Sequence, residues 1–334
     1  MFCAAHTLQL AIKDAFHNNL DAKIALQTAR RAVKILRRPN LKNVLRASNL
    51  NKPVIDCPTR WTSTYQMLAR LYLLRDVQDS DLTSIFSDSF WIEIQNLIAC
   101  LKPVYEATIA LQREQLTIGD FFTEWLNCKI KLEAIRTSFA EDLVKAMQVR
   151  ETVLLNNDLV LENLYLDGRL NVILSDQECE KAKTLITQTF QQLQSLTLSD
   201  SPTETSELPD YSSTRQHGQT TSALENYLKE TEATRGLAGR SSLNTFDGML
   251  SKLRFEPRLP LNTNILTHWV SKGASIDPSL MKVVNVVFAA PATQVSVERL
   301  FSSVKFILNP LRSNMSGSLL KDIMLIRSNP DLFE

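Results

Sequence analysis

The stretch 288–313, FAAPATQVSVERLFSSVKFILNPLRS, has the sharpest helical pattern in the chain. Pro291 fits the first turn of a helix, where a missing N–H is no loss, and Thr293 can cap that turn. Apolar residues then recur at steps of three and four, and they are Val297, Leu300, Phe301, Val304, Ile307, Leu308 and Leu311. Glu298 lies on the polar stripe beside them. The pattern predicts an amphipathic helix that ends just before Pro310.

The composition also indicates a helical protein. The chain has 334 residues, of which 44% are hydrophobic and 22% are charged, values ordinary for a globular protein. It contains only eight glycines, and apolar and polar residues do not alternate for long enough to indicate strands. We therefore predict a mainly α fold.

Charge and hydropathy narrow the classes of partner. No apolar run approaches the roughly 18 residues that cross a bilayer, and the N-terminus lacks the basic lead of a signal peptide. We expect a soluble intracellular protein with no membrane partner and no small-molecule substrate. A net charge of +1 does not by itself indicate nucleic acid, although seven basic residues crowd segment 30–46. That cluster is either a phosphate-binding patch or a solvated helix face.

Further helices are predicted on both sides of this pattern. Segment 4–38 should form one or two helices, broken at Asn18–Asn19 and closed by Pro39. Ser175 and Glu178 form a capping box for another helix. The run 283–290 fits either a strand or a helix. The remaining predicted helices are one that starts at Pro58, one over 89–116 with a kink at Pro103, one over 117–147, and a terminal one capped by Ser316 or Ser318.

Composition divides the chain into three parts. Residues 1–196 form a helical region. Residues 197–245 are predicted to form a disordered linker, because 197–222 are rich in Ser, Thr, Pro and acidic residues, with one short helix at 223–231. Residues 246–334 form a second helical region. The five cysteines are far apart, with no C-x-x-C pair, so we expect free thiols.

Five sequence blocks, in this order, resemble the hAT transposase superfamily. They are Cys3-Ala-Ala-His6, Thr59-Arg60-Trp61, Leu164-Tyr-Leu-Asp167, Thr267-His-Trp269, and Pro291–Ser302 followed by Arg312. The resemblance implies a ribonuclease-H-like catalytic domain interrupted by a helical insertion. Residues 1–196 would be that insertion, and 246–334 the C-terminal dimerisation region with the closing helices of an incomplete ribonuclease-H-like fold. Many relatives also carry a BED-type zinc finger.

The resemblance also bears on catalysis. Intact relatives use three carboxylates to hold divalent metal ions, for which Mg²⁺ is suited because it prefers oxygen ligands. Glu298 matches the third carboxylate, whereas the other two belong to strands upstream of the C-x-x-H block, and this chain begins two residues before Cys3. We expect no catalysis, no functional metal and no cofactor in this chain. Glu298 would be vestigial, or simply a solvated glutamate beside Arg299.

Four residues are candidates for contact with DNA. The resemblance places Cys3 and His6 beside the DNA and the Arg60–Trp61 pair near a DNA hairpin. Chemically, Arg60 can contact a phosphate and Trp61 can stack on an unpaired base. The alternatives are that Trp61 packs in the core with Tyr65 and that Cys3 and His6 are structural. A zinc site is not expected, because it needs four ligands and no second pair exists.

The apolar stripe of the 288–313 stretch and the terminal helix are candidates for self-association. The residues expected at the interface are Leu300, Phe301, Val304, Leu308, Leu320, Ile323 and Ile326. Such apolar surface seeks a partner unless the chain's own fold covers it. The leading hypothesis is a nuclear, transposase-derived protein that forms a homodimer or higher oligomer and retains some DNA binding. The alternatives are a truncated copy of an active DNA transposase and a purely structural helical scaffold.

Overall fold

The computed structural model describes residues 4–47, 50–57, 61–76, 86–113, 116–197, 222–233, 245–293, 304, 307–308 and 315–328. Within these residues the chain forms helices joined by short turns, and no strand occurs. The predicted mainly α fold is therefore confirmed. No helix among these residues combines the length and the apolar character that a membrane span requires.

The helices follow closely along the chain. In order, they are α1 (Ala4–Asn18), α2 (Leu20–Leu36), α3 (Pro39–Ala47), α4 (Trp61–Tyr72), α5 (Asp88–Ala110), α6 (Ile118–Glu133), α7 (Ser138–Leu155), α8 (Asp158–Leu166), α9 (Asp176–Thr197), α10 (Ser222–Ala233), α11 (Phe246–Phe255), α12 (Ile265–Lys272), α13 (Pro278–Phe288) and α14 (Gly317–Ser328). Short 3₁₀ turns at Asn171–Ile173 and Gly273–Ser275 connect α8 to α9 and α12 to α13.

Capping residues explain several of these boundaries. The predicted break between the first two helices is confirmed, because Asn19 lies between them and its side chain accepts a hydrogen bond from Ala22 N (2.9 Å). The predicted capping box is also confirmed, since Ser175 N donates to Glu178 Oε2 (2.8 Å) and Glu178 N donates to Ser175 Oγ (3.3 Å). Local polar residues therefore fix where α2 and α9 begin.

Two prolines were used in the predictions. Pro39 was expected to close the first helical segment, and α2 does end before it, at Leu36, while Pro39 itself is the first residue of α3. A proline suits that position because the first turn of a helix leaves its N–H groups unpaired. The helix predicted to continue through Pro103 is confirmed, since α5 runs from Asp88 to Ala110, and the kink at Pro103 stays a prediction.

The ambiguous run 283–290 is helical. Asp277 caps α13, Pro278 occupies its first position, and Val283, Val284 and Val287 form its buried face. Tertiary burial of this face outweighs the β preference of valine. The segment 117–147 is divided into α6 and α7, with Thr137 capping the second. Helix α11 was not predicted.

Helix α5 lies at the centre of the first half of the fold, in contact with α1, α2, α4, α6 and α7. Its buried residues include Phe90, Ile94, Leu97, Leu101 and Val104. Around it, α1 and α7 run in opposite directions, because Asp14 pairs with Arg150 (2.6 Å) while Asn19 bonds to Asp142 (2.8 Å).

Part of the predicted linker belongs to the core. The short helix expected at 223–231 is confirmed as α10, and its residues Leu224 and Leu228 are fully buried. Helix α10 packs against α6 and the 171–173 turn. The rest of the predicted disordered segment, 198–221 and 234–244, lies outside the described residues.

A nine-residue segment, 163–171, holds the C-terminal helices against the rest of the fold, and we call it the clasp segment. Its hydrogen bonds to residues 250–287 include those from Asn163 Nδ2 to the carbonyl of Val287 (3.0 Å), from Tyr165 Oη to that of Leu250 (2.8 Å) and from Arg169 Nη1 to that of Thr263 (3.1 Å). In the other direction, Trp269 Nε1 donates to the carbonyl of Leu166 (3.2 Å) and Leu259 N to that of Gly168 (2.9 Å). The predicted region starting at 246 is thus bonded closely to the helices before it.

Candidate functional site

The residues predicted for dimerisation are described in part. Leu300 and Phe301 lie outside the described residues, as does Glu298, so the predictions for them stay predictions. Val304 is half-buried and Leu308 is 39% exposed. The predicted stripe therefore has at least one exposed member at its C-terminal end.

Helix α14 carries the remaining candidates. Ser316 Oγ accepts a hydrogen bond from Leu319 N (3.2 Å), so the predicted cap is Ser316. Met324 is buried, whereas Leu319 and Ile326 are each 50% exposed. With Ile323, which is half-buried, Leu319 and Ile326 share one face at spacings of four and three residues.

Leu320 lies on another side of α14 than this exposed face. With 100° of rotation per residue, the Leu320 side chain points about 40° away from that of Met324 but about 120° away from that of Ile326. Leu320 is half-buried, as its position near Met324 implies. Of the three predicted interface residues on α14, Ile326 is therefore the exposed one, and Leu320 and Ile323 are both half-buried.

The start of α1 brings distant sequence blocks together. Ala4 N donates to the carbonyl of Ala292 (3.1 Å), and Ala292 N donates to the carbonyl of Leu116 (3.4 Å). His6 is exposed in the first turn of α1, while Cys3 lies outside the described residues. The Cys3–His6 block is thus joined at Ala4 to the beginning of the Pro291–Ser302 block.

A groove lies between α1, α2 and α4, and we call it the Trp61 groove. Its volume is about 310 Å³, and it is lined by Gln9, Ile12, Lys13, Phe16, His17, Lys23, Leu26, Gln27, Arg30, Trp61 and Thr64. None of these described lining residues is acidic. Lys13 and Lys23 are exposed, and no other described residue forms an ion pair with either. The groove thus combines the Trp61 ring with two lysines that form no ion pair among the described residues, while its Arg30 is paired with Asp56.

Trp61 is held in this groove by an aromatic contact from α5. It is half-buried, and its ring meets Tyr105 edge-on, with 6.5 Å between the ring centroids. Tyr65 stacks on the same Tyr105 ring at 4.6 Å. Trp61 therefore packs against Tyr105 on one side and lines the groove with its remaining surface. Arg60 lies outside the described residues.

Part of the basic cluster in segment 30–46 is structural. Arg30 forms a two-pronged ion pair with Asp56, with Nε and Nη2 at 2.9 and 2.6 Å from Oδ2. Thr64 Oγ1 also donates to Asp56 (3.1 Å), and Arg37 Nη1 donates to the carbonyl of Pro53 (3.0 Å). These two arginines fix segment 50–57 onto α2, so the cluster is not one continuous phosphate-binding face.

A buried ion network was not predicted. Arg169 is 1% exposed and lies between Asp167, whose Oδ2 is 2.6 Å from Nη2, and Asp120, whose Oδ1 is 2.8 Å from Nη1. Burial by itself lowers the pKa of Arg169, but the two carboxylates outweigh that effect and raise it above its ordinary value. The sequence signals were present, because Asp120 caps α6 with Thr117 and Asp167-Gly168 marks a turn.

Gly119 lets this network form. A Cβ at position 119 would lie 1.9 Å from Asp167 Oδ2, so no larger residue fits without displacing the carboxylate. Among the described residues, no group of three or more His, Cys, Asp or Glu is placed to hold a metal ion. Asp120 and Asp167, the buried carboxylates that the fold brings together, are bound to a guanidinium instead.

The described cysteines are free thiols, as predicted. Cys57 is exposed, whereas Cys100, Cys128 and Cys179 are buried. Burial raises the pKa of Cys128 to about 12, so this thiol stays protonated and unreactive at neutral pH. Cys3 lies outside the described residues.

Comparison with protein-family models gives two matches. Residues 1–91 match the ZBED1 RNase-like helical domain, and residues 249–330 match the hAT family C-terminal dimerisation region. No curated protein matches the chain significantly. The first match contains the Cys3–His6 and Arg60–Trp61 blocks together with the Trp61 groove. The second contains most of α11, all of α12–α14, and the exposed apolar face of α14.

Proposed function

This chain is a transposase-like protein of the hAT/ZBED type, and from that premise we propose that it acts by self-association through its C-terminal region. The observation that supports this most directly is the match of residues 249–330 to a dimerisation region. That region also exposes large apolar side chains at Phe255, Val270, Val286, Leu308, Leu319, Leu325 and Ile326. Burial against a second copy would remove this apolar surface from water, which drives association.

The test is the mass of the purified chain over a range of concentrations. At protein concentrations on the order of tens of micromolar, we expect light scattering to give twice the chain mass of 37.8 kDa, or a higher multiple of it. Dilution should shift the mass toward that of one chain. A mass of 37.8 kDa at every concentration would reject self-association.

We propose no catalytic role for the buried carboxylates of Asp120 and Asp167. Asp120 and Asp167 both contact Arg169, so a metal ion at this place would have to displace the guanidinium that neutralises them. Their role is to hold α6, the clasp segment and Thr263 together. The metal-binding role of Glu298, with Mg²⁺ in an intact relative, remains a prediction from the resemblance.

The Trp61 groove favours DNA binding as a second function. Lys13 and Lys23 can contact phosphates, and each such contact adds salt-dependent affinity. Trp61 offers a ring surface on which a base can stack. Among hAT relatives the matching arginine–tryptophan pair lies near a DNA hairpin, which favours a hairpin or frayed end as the ligand. The nucleus would then be the expected location.

DNA binding is tested by fluorescence anisotropy with a labelled hairpin. Replacing Lys13 and Lys23 with alanine should lower the affinity and reduce the dependence of log K on log salt by about 1.8, because two phosphate contacts are lost. Trp61→Ala should cost about 1–3 kcal/mol of binding free energy. The control replaces the exposed Lys229 and Lys282, which lie outside the groove. Equal losses in both lysine pairs would argue against the groove as the binding site.

A further inference from the structure

The exposed face of α14 carries a seam and two flanking charges. The seam consists of Leu319, Ile323 and Ile326, spaced as the core positions of a coiled coil. Asp322 lies on one flank of this seam and Arg327 lies on the other. Met324, on the other side of α14, is buried, whereas Leu319 and Ile326 of the seam are each 50% exposed and Ile323 is half-buried.

Resting on the proposed self-association, we infer that α14 pairs in parallel with α14 of a second copy, with the seam at its centre. Two copies related by a twofold axis along the helices place Leu319, Ile323 and Ile326 against the same residues of the partner copy. The occupant is a second copy because α14 lies within the matched dimerisation region, residues 249–330.

The flanking charges determine the direction of pairing. In a parallel pair, a residue on one flank of a helix lies next to the residue five positions further along on the opposite flank of the partner helix. Asp322 of each copy then meets Arg327 of the other copy. In an antiparallel pair each flank meets the same flank, so Asp322 could not reach Arg327.

Both charges are available for such a contact. Asp322 and Arg327 are exposed, and neither forms an ion pair with another described residue of its own chain. A parallel pair would form two Asp322–Arg327 contacts, one on each side of the seam. Charge complementarity and the apolar seam therefore favour the same arrangement.

A disulfide experiment tests the arrangement in the full chain. Cys3 and Cys57 are first replaced by alanine, and the self-association of this parent is measured by light scattering. Ile326→Cys and Leu319→Cys are then oxidised separately and as a mixture. We expect each variant to form disulfide dimers with itself, because the seam residues face their own counterparts. Leu325→Cys, which is 51% exposed but lies off the seam, is the matched control and should link slowly.

The outcomes separate the inference from the proposed function. Links formed between the Leu319→Cys and Ile326→Cys variants, rather than within each, would show antiparallel pairing and overturn the inference. If the parent dimerises but neither seam variant forms a disulfide dimer, the interface lies elsewhere and the inference is also overturned. If both the parent and the unmodified chain are monomeric, the proposed function itself is rejected.

A charge exchange provides the second measurement. Asp322→Arg places an arginine opposite Arg327 of the second copy, so the dimer dissociation constant should rise by about fivefold. Arg327→Asp should weaken the dimer similarly, and the two changes together should restore it. Lys321→Glu, on the far side of α14 from the seam, should leave the dissociation constant unchanged. Failure of the double variant to recover the affinity would contradict the parallel pairing.

Discussion

Arg169 lies between the carboxylates of Asp167 and Asp120, and its guanidinium also donates to the carbonyl of Thr263. A buried ion network of this kind adds less stability than its short distances suggest, because three charged groups lose their hydration. The planar guanidinium of Arg169 nevertheless donates to three residues at once, which a lysine could not do in the same geometry. Removing one member is costly, because the others stay buried without a partner.

We predict that Arg169→Met destabilises the protein by about 3–5 kcal/mol. The substitution keeps an unbranched apolar side chain but leaves Asp167 and Asp120 buried without their cation. Urea unfolding followed by circular dichroism measures the change. Arg136→Met is the control, since Arg136 is exposed in the turn before α7, and a change within about 0.5 kcal/mol is expected there. Equal effects of the two substitutions would show that the buried network is not needed.

At the scale of elements, the clasp segment explains why the C-terminal helices stay in place. It places side-chain donors opposite backbone carbonyls of residues 250, 263 and 287. A buried carbonyl without a donor costs free energy, so each bond ties one C-terminal element to α8 or the turn after it. Helices α11–α13 of the matched dimerisation region are therefore bonded to the core, while Leu319 and Ile326 of α14 are each 50% exposed.

The bond from Tyr165 gives the prediction at this scale. Tyr165→Phe keeps the buried ring and leaves the carbonyl of Leu250 without its donor, so a loss of about 1–3 kcal/mol is expected. The measurement is the urea midpoint at an unchanged slope. Tyr227→Phe, at an exposed position on α10, is the matched control and should have little effect. If Tyr165→Phe left the free energy of unfolding unchanged, water would have to replace the lost donor.

For the whole molecule, these contacts lead us to predict that helices α1–α13 unfold as one cooperative unit. Helices α8, α9, α11 and α13 pack together, and α10 covers α6, so the core extends across the predicted boundaries at 197 and 246. The groove and helices α11–α13 thus lie on one connected core.

Native-state hydrogen exchange tests this cooperativity. We predict that amides in the middle of α8 and of α13 exchange with the same opening free energy and respond equally to urea, because both require global unfolding. The experiment is done at one protein concentration, so that dimerisation affects both helices alike. An opening free energy for α13 several kcal/mol below that for α8 would instead indicate a separately unfolding C-terminal unit.

The sequence by itself determined the helical class, the break at Asn18–Asn19, the Ser175–Glu178 cap, the short helix α10 and the hAT resemblance, later matched at both ends of the chain. These features depend on residues that are close in the chain, where apolar spacing and caps act directly. The identity of Ile323 and Ile326 as interface candidates also followed from local periodicity.

Only the tertiary structure showed the Arg169 network, the clasp segment, the Trp61 groove and the half-burial of Leu320. Asp120 and Arg169 are 49 residues apart, and Tyr165 and Leu250 are 85 apart. A side chain that donates to a distant backbone carbonyl leaves no pattern in the sequence, because every non-proline residue offers the same carbonyl and N–H. Local spacing determined which helices form, and packing decided which of their faces remain open to a partner.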